Sequence, residues 1–118
     1  MENFVQKGCA LDLVAPAAAT SGVPFVVGPA AHKLVAVPQS SVSSGASVAC
    51  VVEGVVELPK QAVDDFVAGE IAYWDDTNKR VEKSATGMIP MGMVVATTAT
   101  SATLVKVKLS GQPGVVVP

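Results

Sequence analysis

Glycine, proline and serine interrupt this chain at short intervals, and only brief valine-rich runs lie between them. That spacing is the pattern of many short strands. Valine strengthens the reading, because a β-branched side chain is stiff at χ1 and packs well on a pleated surface. Strands are expected near Phe4–Gln6, Cys9–Val14, Val23–Gly28, Lys33–Val37, Ser47–Leu58, Ile71–Trp74, Arg80–Lys83, Met88–Thr97 and Thr103–Leu109. Residues 15–22 and 38–45 are connectors, and the second is too close to both ends to link two full domains. One segment departs from the pattern. Pro59 followed by Ala62, Val63 and Phe66 has the form of a short helix capping one end of a sheet.

Alternation at a period of two assigns the faces. In Ser47–Leu58, Val48, Cys50, Val52, Gly54, Val56 and Leu58 share one wholly apolar face, which belongs in a core. Ala49, Val51, Glu53, Val55 and Glu57 make a mixed second face. In Thr103–Leu109, Thr103, Val105, Val107 and Leu109 point inward, and Leu104, Lys106 and Lys108 point outward. Cys9 and Cys50 both fall on core faces. Tyr73 and Trp74 are neighbours in one strand, so they face opposite ways and one ring lies on an outer surface. The tail, residues 110–118, combines mobile Gly111, Pro113 and Gly114 with apolar Val115, Val116 and Val117. Docking onto a neighbour and a disordered end are both open for it.

Charge excludes several functions. Half of the 118 residues are hydrophobic and only 15% are charged, against about 25% in ordinary soluble domains. Yet no apolar run approaches the roughly 20 residues that span a bilayer, so an assembly interface accounts for the excess better than a membrane. The net charge of −2 argues against nucleic-acid binding, which needs a basic face. Met1–Lys7 lacks the pattern of a secretory signal, so folding in a cytoplasm and two free thiols are expected.

No residues converge on a reaction. His32 is the only histidine and follows a loop sequence. No Gly-x-Ser-x-Gly turn, phosphate loop or dinucleotide fingerprint occurs. Asp75 and Asp76 are adjacent, but a twelve-residue calcium loop starting at either would end at Thr86 or Gly87, where a Glu is needed. Glu53 and Glu57 share a strand face about 13 Å apart, too far for a glycosidase pair. No catalytic residue, metal ligand or cofactor site is assigned.

An ordered series of blocks carries a resemblance. They are Asn3–Gly8, Ala15–Ala17, Ser21–Gly28, Gly54–Lys60, Ala68–Asp75, Gly92–Val94 and Leu104–Leu109. In this order they resemble the capsid cement, or head-decoration, proteins of tailed bacteriophages. The resemblance implies an all-β fold, a small β-barrel or β-sandwich. With the strands above, that makes eight or nine short strands and one short helix near residues 59–66. Length and the strand pattern make a single domain over residues 1–109, with 110–118 as a C-terminal tail for which the resemblance carries nothing over. The resemblance further implies a homotrimer on the outside of a mature head, with the major capsid protein as partner, clamping neighbouring capsomers against internal DNA pressure. The candidate subunit or capsid contacts are Phe4, Val51, Val55, Trp74, Val115, Val116 and Val117. Two other functions compete. One is a virion-surface adhesin that binds host glycans, for which Trp74 beside Asp75 and Asp76 is the only candidate. The other is a small trimeric all-β enzyme, whose residues are not found.

Overall fold

A computed structural model describes residues 10–61, 64–99 and 101–118. Among the described residues there are ten strands and no helix. They are β1 Ala10–Val14, β2 Phe25–Val27, β3 His32–Pro38, β4 Ser47–Val51, β5 Glu53–Pro59, β6 Ile71–Asp75, β7 Arg80–Glu82, β8 Ile89–Val94, β9 Leu104–Ser110 and β10 Gly114–Val115. The expected strand Phe4–Gln6 and residue Cys9 lie outside the described residues.

The strands make two antiparallel sheets. The first runs β1-β4-β3-β10, with β2 also paired to β3. The second runs β5-β9-β8-β6-β7. The run expected as one strand, Ser47–Leu58, serves both sheets. β4 pairs with β1 and β3, and β5 pairs with β9 along all seven of its residues. The change of sheet falls at Val52, which is buried, and two residues on Gly54 takes a φ of +115°. The expected alternation survives the break. Val48, Cys50, Val52 and Leu58 are buried, and Val56 is half-buried against the core, but Gly54, expected on the same face, is exposed at the break.

Two apolar clusters result. The larger fills the inner side of the second sheet with Leu58, Phe66, Trp74, Val81, Met91 and Leu109 among others. The smaller collects Ala15, Phe25, Ala36, Val48, Cys50 and Val52. Strand β3 joins them. Its Val35 and Val37 enter the larger cluster, and Ala36 between them enters the smaller. Successive residues of a strand face opposite ways, so a strand apolar on both faces is covered on both. In β9, Val105, Val107 and Leu109 are buried and Leu104, Lys106 and Lys108 exposed, as alternation requires. Thr103, expected inward, precedes β9 and is exposed.

Two expectations are corrected. The second sheet is not a closed barrel. Its edge strands β5 and β7 are not paired with each other, and a single parallel bridge, Lys60–Val81, lies just beyond the end of β5. Nor is there a helix among the described residues near 59–66. Pro59 ends β5. The Lys60 N–H donates to Thr103 O at 3.0 Å, Gln61 N–H to Val81 O at 3.0 Å, and Phe66 N–H to Thr98 O at 3.2 Å. The Lys60 and Gln61 N–H groups would be free at the start of a helix too, but the Phe66 N–H would have to turn back four residues. Here Thr98 takes it, and burial of Phe66 in the core comes through tertiary pairing instead. Ala62 and Val63 lie outside the described residues. The Lys60 ammonium is buried and donates to the carbonyls of Gln61, at 3.1 Å, and Asp64.

The tail is ordered against its own chain. β10 pairs with β3 through Gly114–Lys33 and Val115–His32. Beyond it, Val116 N–H donates to Ala31 O, Val117 N–H to Met88 O, and Gly87 N–H to Val117 O. Val116 packs against the larger cluster. The last residues therefore tie the first sheet to the loop that enters β8.

Cys50 is a free, fully buried thiol on the expected face. Burial pushes its pKa up, and the Asp12 charge pushes it the same way. A thiol reagent reacts with thiolate, so native Cys50 should label about a thousandfold or more slowly than in denaturant, waiting for the chain to open. Stopped labelling with mass spectrometry measures this, and rapid native labelling of Cys50 would contradict its place in the core.

Candidate functional site

The best-formed polar cluster lies in the β6–β7 hairpin, and its role is structural. Asp75 ends β6 at 5% exposure. Its Oδ1 accepts from the N–H groups of Thr77 (3.0 Å) and Asn78 (3.1 Å), and its Oδ2 accepts from Asn78 Nδ2 at 2.7 Å. An aspartate that binds the backbone two and three residues on is a turn former. It lets Lys79 take a φ of +54° and return the chain into β7. A hydrogen bond with the Glu82 side chain, then the Asn78 and Thr77 donors, hold the Asp75 pKa down to about 2, against the opposing effect of burial. Burial, followed by the hydrogen bond with Asp75, pushes Glu82 up, while Arg80 Nε at 2.7 Å pulls it back.

The signs give a pH prediction. Lowering the Asp75 pKa from 3.8 to about 2 adds stability that is complete above about pH 4 and is lost as the pH falls towards 2. Glu82 acts oppositely, since charging a carboxyl with a raised pKa costs stability as the pH rises. Asp75→Asn should lower neutral-pH stability by about 2 kcal/mol, the scale of hydrogen bonds to a charged group, because one acceptor becomes a donor facing Asn78. It should also flatten the loss between pH 4 and 2. Urea midpoints across pH test this, and an unchanged acid slope would remove Asp75 from the explanation.

Elsewhere the chemistry is sparse. His32 is exposed at the start of β3. Among the described residues, no three His, Cys, Asp or Glu side chains are grouped to hold a metal ion. An open cleft of about 400 Å³ lies between the connector after β1 and the tip of the β6–β7 hairpin. Its lining is mainly Ala, Pro, Val and Phe25. Its two charged residues, Asp76 and Lys79, pair with each other at 2.7 Å.

The outer face of the second sheet is more unusual. Register places Val55 of β5 opposite Lys108 of β9, Lys108 opposite Met93 of β8, and Met93 opposite Ile71 of β6. Directly opposed residues point to the same side, so these four form one row across four strands. At about 4.8 Å per strand the row spans about 14 Å. Val55 is 59% exposed, Met93 42% and Ile71 58%. The Lys108 stem can bridge them while its ammonium stays in water. Leu104, also exposed, lies on the same face, four residues before Lys108. A solvent-facing sheet surface is ordinarily polar, and here three of the four side chains in the row are exposed and apolar.

The candidate contacts are not gathered together. Val55 stands in the row. Val51 is half-buried against the larger core. Val115 is exposed on β10, and Val116 and Val117 are half-buried along their own chain. Trp74, expected at a surface, has 0% exposure and is the largest fully buried side chain. Tyr73 is the outward ring of the pair, half-buried. Phe4 lies outside the described residues. Sequence reasoning missed Ile71, Met93 and Lys108 as contacts. Alternation marked Lys108 as outward, but only strand register sets it between Val55 and Met93.

Neither a curated protein nor a solved structure matches this chain. A family model described as phage cement protein matches residues 5–109. That match takes in the whole second sheet except the end of β9, and it stops before the tail. On this match over most of its length, the chain belongs to the phage cement protein family.

Proposed function

We propose that this protein binds the outside of the mature phage head as a homotrimer and stabilises the head by bridging major capsid protein subunits. Membership of the cement family supports a capsid role. The single observation that carries a binding role is the exposed row Val55–Lys108–Met93–Ile71, apolar but for its lysine. A trimer laid across several capsid subunits ties them through repeated contacts. Each contact is weak, but linkage raises the effective concentration of the next. Contacts that are mainly apolar give attachment only a mild dependence on salt.

Heads assembled without the protein test this reading. They are expected to form but to lose DNA or break at lower temperature or under osmotic shock, and added purified protein is expected to restore them. Unchanged head stability with reduced host attachment would replace the cement reading by the adhesin reading. Light scattering after size exclusion reads the oligomeric state, and a monomer both free and on the head would refute the trimer.

A further inference from the structure

We infer that the row Val55–Lys108–Met93–Ile71 is the face that meets the capsid, and that the capsid surface it accepts is apolar with a carboxylate set against Lys108. The inference rests on the capsid-binding reading above and specifies the chemistry of the partner. Three side chains of the row are apolar and largely exposed. The fourth, Lys108, is the only charge in the row and stands between Val55 and Met93. Its neighbours on β5, Glu53 and Glu57, lie across from Ser110 and Lys106. Neither is within 4.0 Å of the Lys108 ammonium, and among the described residues Lys108 has no ion-pair partner. A surface that covers the row takes water from this ammonium, and a buried charge has to be paired. The partner must therefore bring an acid to the middle of an apolar contact.

A second copy of this chain fits less well. The row has no carboxylate of its own, and Glu53 and Glu57 beside Val55 on the same face would put the acids of a second copy at the flank of the contact rather than at its middle. Several acids elsewhere are already engaged. Asp76 pairs with Lys79, Glu82 with Arg80 and Glu70 with Lys83, and Asp75 is bound into the hairpin turn. A capsid subunit with an acidic side chain among apolar ones supplies what the row lacks. Lysine presents a point charge on a flexible stem, which suits pairing with an acid on a repeating lattice without a fixed two-pronged geometry.

The test measures binding of purified wild-type protein and of K108Q, K108E, K108R and M93D to heads lacking the protein. All four exchanges fall at the exposed positions Lys108 and Met93, so unfolding midpoints and light-scattering mass should agree with wild type. Expected results are a tenfold weaker K108Q, a K108E weaker again by about tenfold, a K108R within threefold of wild type, and a tenfold or greater loss for M93D. Equal losses for K108Q and K108E would overturn the carboxylate. Wild-type binding with every variant within twofold would overturn this face and leave the capsid reading intact. Absence of wild-type binding would overturn both. Variants that lose trimer mass would show the row to be a contact between copies and overturn the capsid assignment of this face.

Discussion

Replacing Trp74 by alanine should destabilise the protein by about 3–5 kcal/mol, the range for truncating a buried large aromatic. The ring is central to the second sheet. Trp74 pairs with Val81 on one side and Ile89 on the other, and all three are buried. The indole N–H donates to Asp76 Oδ1 at 3.2 Å, and the same oxygen accepts from Lys79 Nζ at 2.7 Å. Truncation thus removes packing and a polar tie to the hairpin tip together. Small domains have only about 5–15 kcal/mol of stability in all, so the variant should sit close to its unfolding threshold. Trp74→Phe keeps most of the volume and should cost less. Urea unfolding followed by circular dichroism measures both. A Trp74→Ala loss below about 1 kcal/mol, with weakened capsid binding, would return Trp74 to the surface role its sequence neighbourhood suggested.

Gly92→Ala should be nearly as damaging, with a loss of about 3 kcal/mol or more. Gly92 has a φ of +155° where β8 crosses β9. A Cβ there would stand 1.9 Å from the Lys108 carbonyl oxygen and 2.9 Å from its carbon. Those atoms are backbone, held by the Gly92–Leu109 and Met93–Lys108 pairs, so they cannot step aside as a side-chain end would. Overpacking costs about 1–3 kcal/mol and a strained φ about 1–3 kcal/mol more. Gly69→Ala is the control, since Gly69 has a φ of +101° with nothing within 4 Å. It should lose only the strain part. Equal losses at the two positions would mean that β8 and β9 are not in this close approach. The same pairing sets Met93 beside Lys108, so a shift here would also dismantle the exposed row.

The chain by itself determined much of this protein. Short valine-rich runs between turn formers dictated strands, because each run is too brief for anything but a pleated segment. Alternation dictated which side of β9 is buried and put Cys50 inward. The ordered blocks pointed to the cement family that the family model matches. Other features depended on partners distant in sequence. Period two says that Tyr73 and Trp74 face apart, but only the larger core cluster decides that Trp74 is inside. The helix expected near residues 59–66 is not seen among the described residues, and the Phe66 N–H that it would turn back on itself goes to Thr98, more than 30 residues on. Residues 47–58 form an unbroken strand pattern, and the division at Val52 follows from β4 and β5 pairing in different sheets. The row Val55–Lys108–Met93–Ile71 draws its members from four separate strands. Its existence is a matter of register, and register is set by the fit of buried faces across the whole sheet, which no local stretch of sequence contains.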